Sequence, residues 1–255
     1  MKKLLMILLM AGLIAGLLVG CSGVTPPPGE GEGEGEGEEE VSRVVIVEVF
    51  SQDGCSNCAI IDPIIEQLAE EYERSEVVFL EEKAYGAYSL DEIRDRYNWY
   101  IPDVEDRGTP NILFDGLNTN LIHGASTYST INSKISLELS KDAKIKITAL
   151  RNSDSDSTTI TGTIENISTS DLSNLLINGM NFKDRGQVGT KYSVTDIFVN
   201  NPTGITVSSL APNEKVNFSF TLENINWDGN NYHGVIFVQA PNSTKKEILQ
   251  ALYVE

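Results

Sequence analysis

Of the three cysteines in 255 residues, Cys55 and Cys58 stand three apart where a β-branched run, Val44 to Phe50, gives way to helical periodicity from Ile60 to Tyr72. No other feature constrains the chain as much. At a strand-to-helix junction Cys55 sits at or just before a helix N-terminus. Unpaired backbone N–H groups and the positive end of the helix dipole there favour a thiolate over a thiol. A spacing of three places Cys58 one turn later on the same face, near enough to close a small disulfide. Asp53, two residues ahead, opposes the dipole, raises the thiol pKa and favours a reducing poise. In such an arrangement Cys55 attacks a substrate disulfide, and Cys58 resolves the mixed disulfide that forms.

Around this junction, residues 41–141 alternate strand and helix. Strands are expected at Val44–Phe50, Val77–Leu80, Asn111–Phe114 and Asn120–His123, with helices at Ile60–Tyr72, Leu90–Tyr97 and Thr127–Leu139. After Lys141 the texture becomes short Ile, Val, Thr and Phe segments between polar clusters about every ten residues, the pattern of a β-sandwich. Strands are expected there at Lys144–Leu150, Thr158–Glu165, Leu172–Met180, Ser193–Phe198, Val216–Leu222, Gly234–Gln239 and Glu247–Val254. The expected fold class is therefore an α/β domain over 41–141 followed by an all-β immunoglobulin-like sandwich over 142–255.

The N-terminus reads as an export segment. Lys2 and Lys3 precede an apolar run from Leu4 to Val19, and Leu18-Val19-Gly20-Cys21 resembles the bacterial lipobox. The resemblance implies a signal peptide over 1–20 and a lipid-modified Cys21, with Ser22 leaning to the outer membrane. An uncleaved membrane anchor is the alternative. Residues 21–40, with Pro26-Pro27-Pro28 and alternating Gly and Glu, have nothing apolar to bury after Val24 and read as a tether reaching up to roughly 50 Å. Once Cys21 is acylated only two thiols remain, in a compartment where disulfides persist; they pair with each other or react with something else.

Cys58 to Tyr72, with Pro63 five residues after the second cysteine, resembles the first active-site helix of thioredoxins. Arg107-Gly108-Thr109-Pro110 followed by Asn111-Ile112-Leu113-Phe114-Asp115-Gly116 resembles their cis-proline strand and turn. The resemblance spans Val44 to about Leu139. It implies a thioredoxin-like domain, a cis Pro110 beside the cysteine pair, and a Thr109 backbone able to pair with an extended substrate. The chain departs from the family where Val49 replaces the carboxylate six residues before the first cysteine, and no Trp precedes Cys55. Glu48 points to the opposite face of the strand. The full layout resembles outer-membrane lipoproteins that join a thioredoxin-like domain to a C-terminal sandwich.

With 19 basic against 37 acidic residues the net charge is −18, and no basic patch is visible in the sequence, so nucleic acid is not an expected partner. Expected partners are protein thiols or disulfides, an unidentified redox partner, and the membrane through the lipid on Cys21. No cofactor or metal is expected, since two cysteines fall short of a four-ligand zinc site. His123 is read as a strand-end residue. Tyr85, Tyr88, Tyr97, Trp99 and Tyr100 are read as core before they are read as a peptide platform. Asp154, Asp156 and Asp228 are read as turn formers. Three functions remain open: a thiol-disulfide oxidoreductase anchored in the cell envelope, a surface binding protein with a structural disulfide, and a copper-delivery protein using the cysteines and a distant histidine.

Overall fold

The computed structural model describes residues 41–117, 120–154, 156–198, 204–223, 227, 231–241 and 245–255. The leader, Cys21, the tether through Glu40, and Asp228 lie outside them. Strand β1 (Val45–Gln52) carries apolar side chains on both faces and is buried along all but its last residue. Such a strand must be central. It pairs in parallel with β2 (Val77–Tyr85), Val45 opposite Val77, and antiparallel with β3 (Asn111–Phe114), Val47 opposite Phe114. Helix α1 (Ser56–Glu71) is the crossover between β1 and β2, as a parallel pair requires. Helix α2 (Asp91–Tyr100) and a single 3-10 turn (Val104–Asp106) lead to β3, and β4 (Gly116–Leu117), β5 (Ile122–His123) and α3 (Tyr128–Leu139) follow. On one face of β1, Val45, Val47 and Val49 pack against Ile61, Ile65 and Leu68 of α1 and Ile131 and Ile135 of α3.

The rest of the chain forms β6 (Ile145–Ser153), β7 (Ser157–Asn166), β8 (Leu172–Lys183), β9 (Ser193–Ile197), β10 (Ile205–Leu210), β11 (Lys215–Glu223), β12 (His233–Pro241) and β13 (Lys246–Val254). The seven strands expected beyond Lys141 all occur, and β10 is an addition. Its Ile205-Thr206-Val207 run carries the same alternation as its neighbours. Strands β11, β7 and β6 make a three-stranded antiparallel sheet, and its apolar face, with Ile145, Ile160, Ile164 and Phe218, packs on Leu175, Ile177, Ile236 and Val238 of β8 and β12.

The expected fold class, an α/β thioredoxin-like domain followed by an immunoglobulin-like sandwich, is overturned. Strands dominate, only three α-helices occur among the described residues, and one mixed sheet of ten strands runs through both halves in the order β4-β13-β12-β8-β9-β2-β1-β3-β5, with β10 on β8. The physical reason is that residue patterning sets which segments are strands but not whose edge they extend. The outer edge of β2 is continued by β9, Glu81 opposite Ser193, and β4 pairs with β13. The second face of β1 is equally shared. Val44, Ile46, Phe50, Val78 and Leu80 form one core with Ile93, Tyr97 and Tyr100 of α2 and with Met180, Phe182, Val235, Phe237, Ile248 and Ala251.

Buried polar groups stitch this shared core. Arg43 donates from Nη2 to Asp115 Oδ2 at 2.7 Å, from Nη1 to the Leu249 carbonyl at 2.7 Å and from Nη2 to the Ile248 carbonyl at 2.8 Å. Gln250 accepts the Val44 N–H at 2.8 Å, and Arg96, Tyr100 and Gln239 form a chain of hydrogen bonds ending on Glu48. At the β2–β9 join, Glu81 accepts the Tyr192 N–H at 2.8 Å while its own N–H donates to the Tyr192 carbonyl at 2.9 Å.

Burial pushes the Glu81 carboxyl from an ordinary 4.5 up to about 7. Between those values the unfolded chain has released the proton and the folded chain still holds it, so stability falls as pH rises through this window. Glu81→Gln keeps an acceptor for Tyr192 and has no proton to lose. The variant is expected to match the parent near pH 4 and to exceed it by up to about 3 kcal/mol at pH 8, measured by urea unfolding at a series of pH values.

Candidate functional site

The turn at the end of β1 delivers Cys55 to the N-cap of α1, where its Sγ accepts the Cys58 N–H at 3.0 Å. The two cysteines are joined in a disulfide with Cα atoms 5.2 Å apart. Their environments differ: Cys55 is half-buried, whereas Cys58 is 2% exposed. The Cys55 Sγ lies 3.4 Å from the Thr109 carbonyl oxygen, and the Thr109–Pro110 peptide is cis. Cys55, Cys58, Thr109 and Pro110, separated by up to 55 positions in the sequence, therefore meet at one place. Cys21 lies outside the described residues.

The Thr109 loop is held from below. Tyr97 donates its hydroxyl to the Gly108 carbonyl at 2.9 Å and accepts from Asn111 Nδ2 at 2.8 Å, and His123 Nδ1 donates to Asn111 Oδ1 at 2.7 Å. The Gly124 N–H closes the loop on the Pro110 carbonyl at 2.8 Å. A side chain at Gly108 would begin 2.6 Å from His123 Cε1, so the close approach of ring and backbone requires glycine. His123 thus supports the loop.

Beside the disulfide is a cavity of about 390 Å³, lined by Cys55 and Cys58 with Asp53, Asp62 and Lys83 among others. Asp53 turns its carboxylate to the loop after β2 and accepts the Ala87 N–H at 2.6 Å. Burial holds the Asp62 carboxyl above its ordinary range; Lys83 pulls it down and Glu66 pushes it up. Lys83 is itself 6% exposed, on the face of β2 that α1 covers. Asp62 and Lys83 were not among the expected site residues. The usable signals were the i+4 spacing of Asp62 from Cys58, which places both on one face of the helix, and a lysine inside an otherwise apolar strand segment. Glu48 is fully buried on the opposite face of β1 and bound to Arg96 and Tyr100, away from the cysteines.

The aromatic group divides. Tyr97 and Tyr100 are core, Phe50 stacking on Tyr97 with centroids 4.9 Å apart, and Trp99 is half-buried under Lys246. Tyr85 and Tyr88 are exposed at the end of β2 and just beyond it, and Ile60 of α1 is exposed two residues after Cys58. Asp154 accepts the N–H groups of Asp156 and Ser157, which is turn chemistry. Among the described residues no group of three His, Cys, Asp or Glu side chains could hold a metal ion, and no helix is long and apolar enough to cross a membrane.

No protein-family model and no curated protein matches the sequence. Among solved structures, HBP35 of Porphyromonas gingivalis is similar with a TM-score of 0.66 at 14% identity, over 84% of this chain and 75% of that one. A domain of the outer membrane lipoprotein Omp28 from the same organism aligns at a TM-score of 0.32 and 18% identity, over 44% of this chain and 88% of that one. A β-glucosidase of Kluyveromyces marxianus aligns at 0.27 and 13%, over 44% and 14%. The first likeness extends across both halves and concerns the fold alone. These likenesses do not confirm a thioredoxin-like fold.

Tyr97→Phe removes the hydroxyl that bridges Gly108 and Asn111 and leaves a buried Asn111 donor unpaired. It is expected to cost about 1–3 kcal/mol, read as a lowered urea midpoint with an unchanged slope.

Proposed function

We propose that this chain is a thiol-disulfide oxidoreductase acting on proteins outside the cytoplasm, anchored in the cell envelope through Cys21. The observation that carries the reading is the asymmetry of the pair: a half-exposed Cys55 sulfur at a helix N-terminus against the Thr109 carbonyl, with Cys58 buried behind it. An accessible sulfur stabilised by a helix N-terminus is suited to attack, and a buried one to resolution. The anchor is inferred from Leu18-Val19-Gly20-Cys21 and the apolar leader before it.

In the reducing direction the Cys55 thiolate attacks one sulfur of a substrate disulfide. That S–S bond breaks, a Cys55–substrate disulfide forms, and the departing substrate thiolate takes a proton from water. Cys58 then loses its thiol proton and attacks the Cys55 sulfur, releasing the second substrate thiolate, which is protonated in turn. The substrate gains two electrons and the protein dithiol gives up two, closing Cys55–Cys58. The reverse sequence oxidises a substrate dithiol. Asp62, with its carboxyl raised by burial and lining the same cavity as Cys58, is the group suited to take the Cys58 proton, and Lys83 stabilises the charge that results. Exposed Ile60, Tyr85 and Tyr88 give an apolar margin for an extended or unfolded substrate, which would add to the Thr109 backbone as a strand does.

Equilibrating the full chain with defined thiol–disulfide buffers and alkylating free thiols gives the reduction potential of the pair. A value between about −270 and −120 mV supports the reading, and Cys58→Ser but not Cys55→Ser should then accumulate mixed disulfides with protein thiols. A potential well below about −300 mV, with no trapped species, would make the disulfide structural. Asp62→Asn is expected to slow reduction of a protein disulfide by about a hundredfold at pH 7, with the deficit shrinking as pH approaches the thiol pKa, measured by stopped-flow turnover.

A further inference from the structure

The loop between β8 and β9, residues 184–192, belongs to the C-terminal half but lies against the helix that follows Cys55. The Gly189 N–H donates to Glu66 Oε1 at 3.1 Å, and Lys191 Nζ lies 3.0 Å from Glu66 Oε2. A side chain at Gly189 would begin 2.2 Å from Asp62 Oδ2, and its φ of +75° favours glycine, so this close approach requires that residue. Asp62 is one helical turn, about 6 Å along the axis, from Cys58. Further back in the loop, the Arg185 guanidinium lies 4.3 Å over the ring of Tyr88. We propose that this loop is the specificity wall of the cysteine site, and that Val188 at its turn meets apolar side chains of an unfolded protein segment undergoing disulfide exchange. The inference rests on the redox reading above.

The two holds on the loop belong to two walls of one cavity. Asp53 and Asp62 both line the space of about 390 Å³ beside the disulfide. Gly189 touches Asp62 directly. Arg185 reaches the Asp53 side through Tyr88, whose own loop is fixed there by the Ala87 N–H donating to Asp53 Oδ2 at 2.6 Å. The β8–β9 loop therefore bridges the walls of the cavity into which the disulfide opens.

Its shape is set by its own hydrogen bonds. The Thr190 N–H donates to the Gln187 carbonyl and the Arg185 N–H to the Thr190 carbonyl, both at 3.0 Å, and Arg185 Nε donates to Ser193 Oγ at 3.0 Å. A wall formed in advance loses little freedom when a substrate arrives. Within residues 184–191 Val188 is the one apolar side chain, and it is 62% exposed. Tyr85 and Tyr88 add exposed apolar surface beside it on the Arg185 side. Folded proteins keep most large apolar side chains inside, so a segment that offers them next to a cysteine is an unfolded one. At about 3.3 Å per residue, an extended segment with its cysteine at Cys55 brings residues a few positions away onto the loop.

The test compares two disulfide-bonded peptides, identical except that Leu or Ser residues flank one cysteine, with bis(2-hydroxyethyl) disulfide, which is too small to touch the loop. The reduced full chain is mixed with each, quenched with acid at intervals, and the second-order rate of two-electron transfer from the Cys55–Cys58 dithiol to the disulfide is read. The Leu peptide is expected to react about tenfold faster than the Ser peptide, the effect of covering one apolar side chain. Val188→Ser is expected to remove most of that preference and to leave the rates with the Ser peptide and the small disulfide unchanged. Val188 belongs to none of the core clusters, so its replacement spares the packing. Equal rates for the two peptides, or a preference that survives Val188→Ser, would overturn the proposal while the redox reading stands. If the dithiol reduces none of the three disulfides, the redox reading fails and this inference with it.

Discussion

The fold depends on a buried ion pair. Arg43 and Asp115, 2% and 0% exposed at their side chains, lie between the edge of the N-terminal strands and β13. Every polar side-chain atom they offer has a partner. Arg43 reaches Asp115 and the carbonyls of Ile248 and Leu249, and Asp115 accepts the Ile46 N–H with its other carboxylate oxygen while its backbone carbonyl takes the Ile248 N–H. Burial lifts the Asp115 carboxyl to about 6 even beside the guanidinium, which measures how strongly the site resists charge. A pair of this kind contributes little net stability against an apolar replacement but is costly to break, so its effect is to specify which surfaces meet. It draws β13 onto β1 and thereby closes the core that both halves share.

That closure sets the chemistry available at the cysteines. On the shared face, Glu48 is committed to Arg96 and Tyr100, and Glu82 is pushed well above the ordinary carboxylate range by burial and by Glu48. Those acids are buried in the interior and are sealed from the disulfide by β1 itself. The opposite face keeps a partly accessible carboxylate, Asp62, and the ammonium of Lys83 next to Cys58. One strand thus divides the fully buried acids from the charged groups beside the disulfide, and the alternation of side chains along it does the dividing.

Much of this was legible in the residues. Period-2 and period-3.6 patterning located the strands and helices, and the ends of β3 and the C-terminal end of α3 fall where Asn111, Phe114 and Leu139 suggested. Cys55 at a helix start followed from the strand-to-helix junction, and the cis Pro110 beside it only from the resemblance of its segment to a cis-proline strand. The architecture was not legible because its decisive contacts are distant: Arg43 finds Leu249 across 206 positions, and β2 takes β9 as its neighbour across more than a hundred. Nothing in the composition of Val77–Tyr85 says that its outer edge will be joined by Ser193.

The reach of Arg43 also orders events in time. A chain emerging N-terminus first presents β1, α1 and β2 early, but the carbonyls that Arg43 needs belong to Ile248 and Leu249, and the Gln250 side chain that receives the Val44 N–H arrives with them. Until β13 appears, the shared face of β1 lacks the cover that Ile248 and Ala251 supply, and the Arg43 side chain has only Asp115 of its partners. Closing a loop of about two hundred residues is slow compared with forming any hairpin, and these contacts raise the contact order of the fold. The half that carries the cysteines reaches its final form only when the other end of the chain comes back to it.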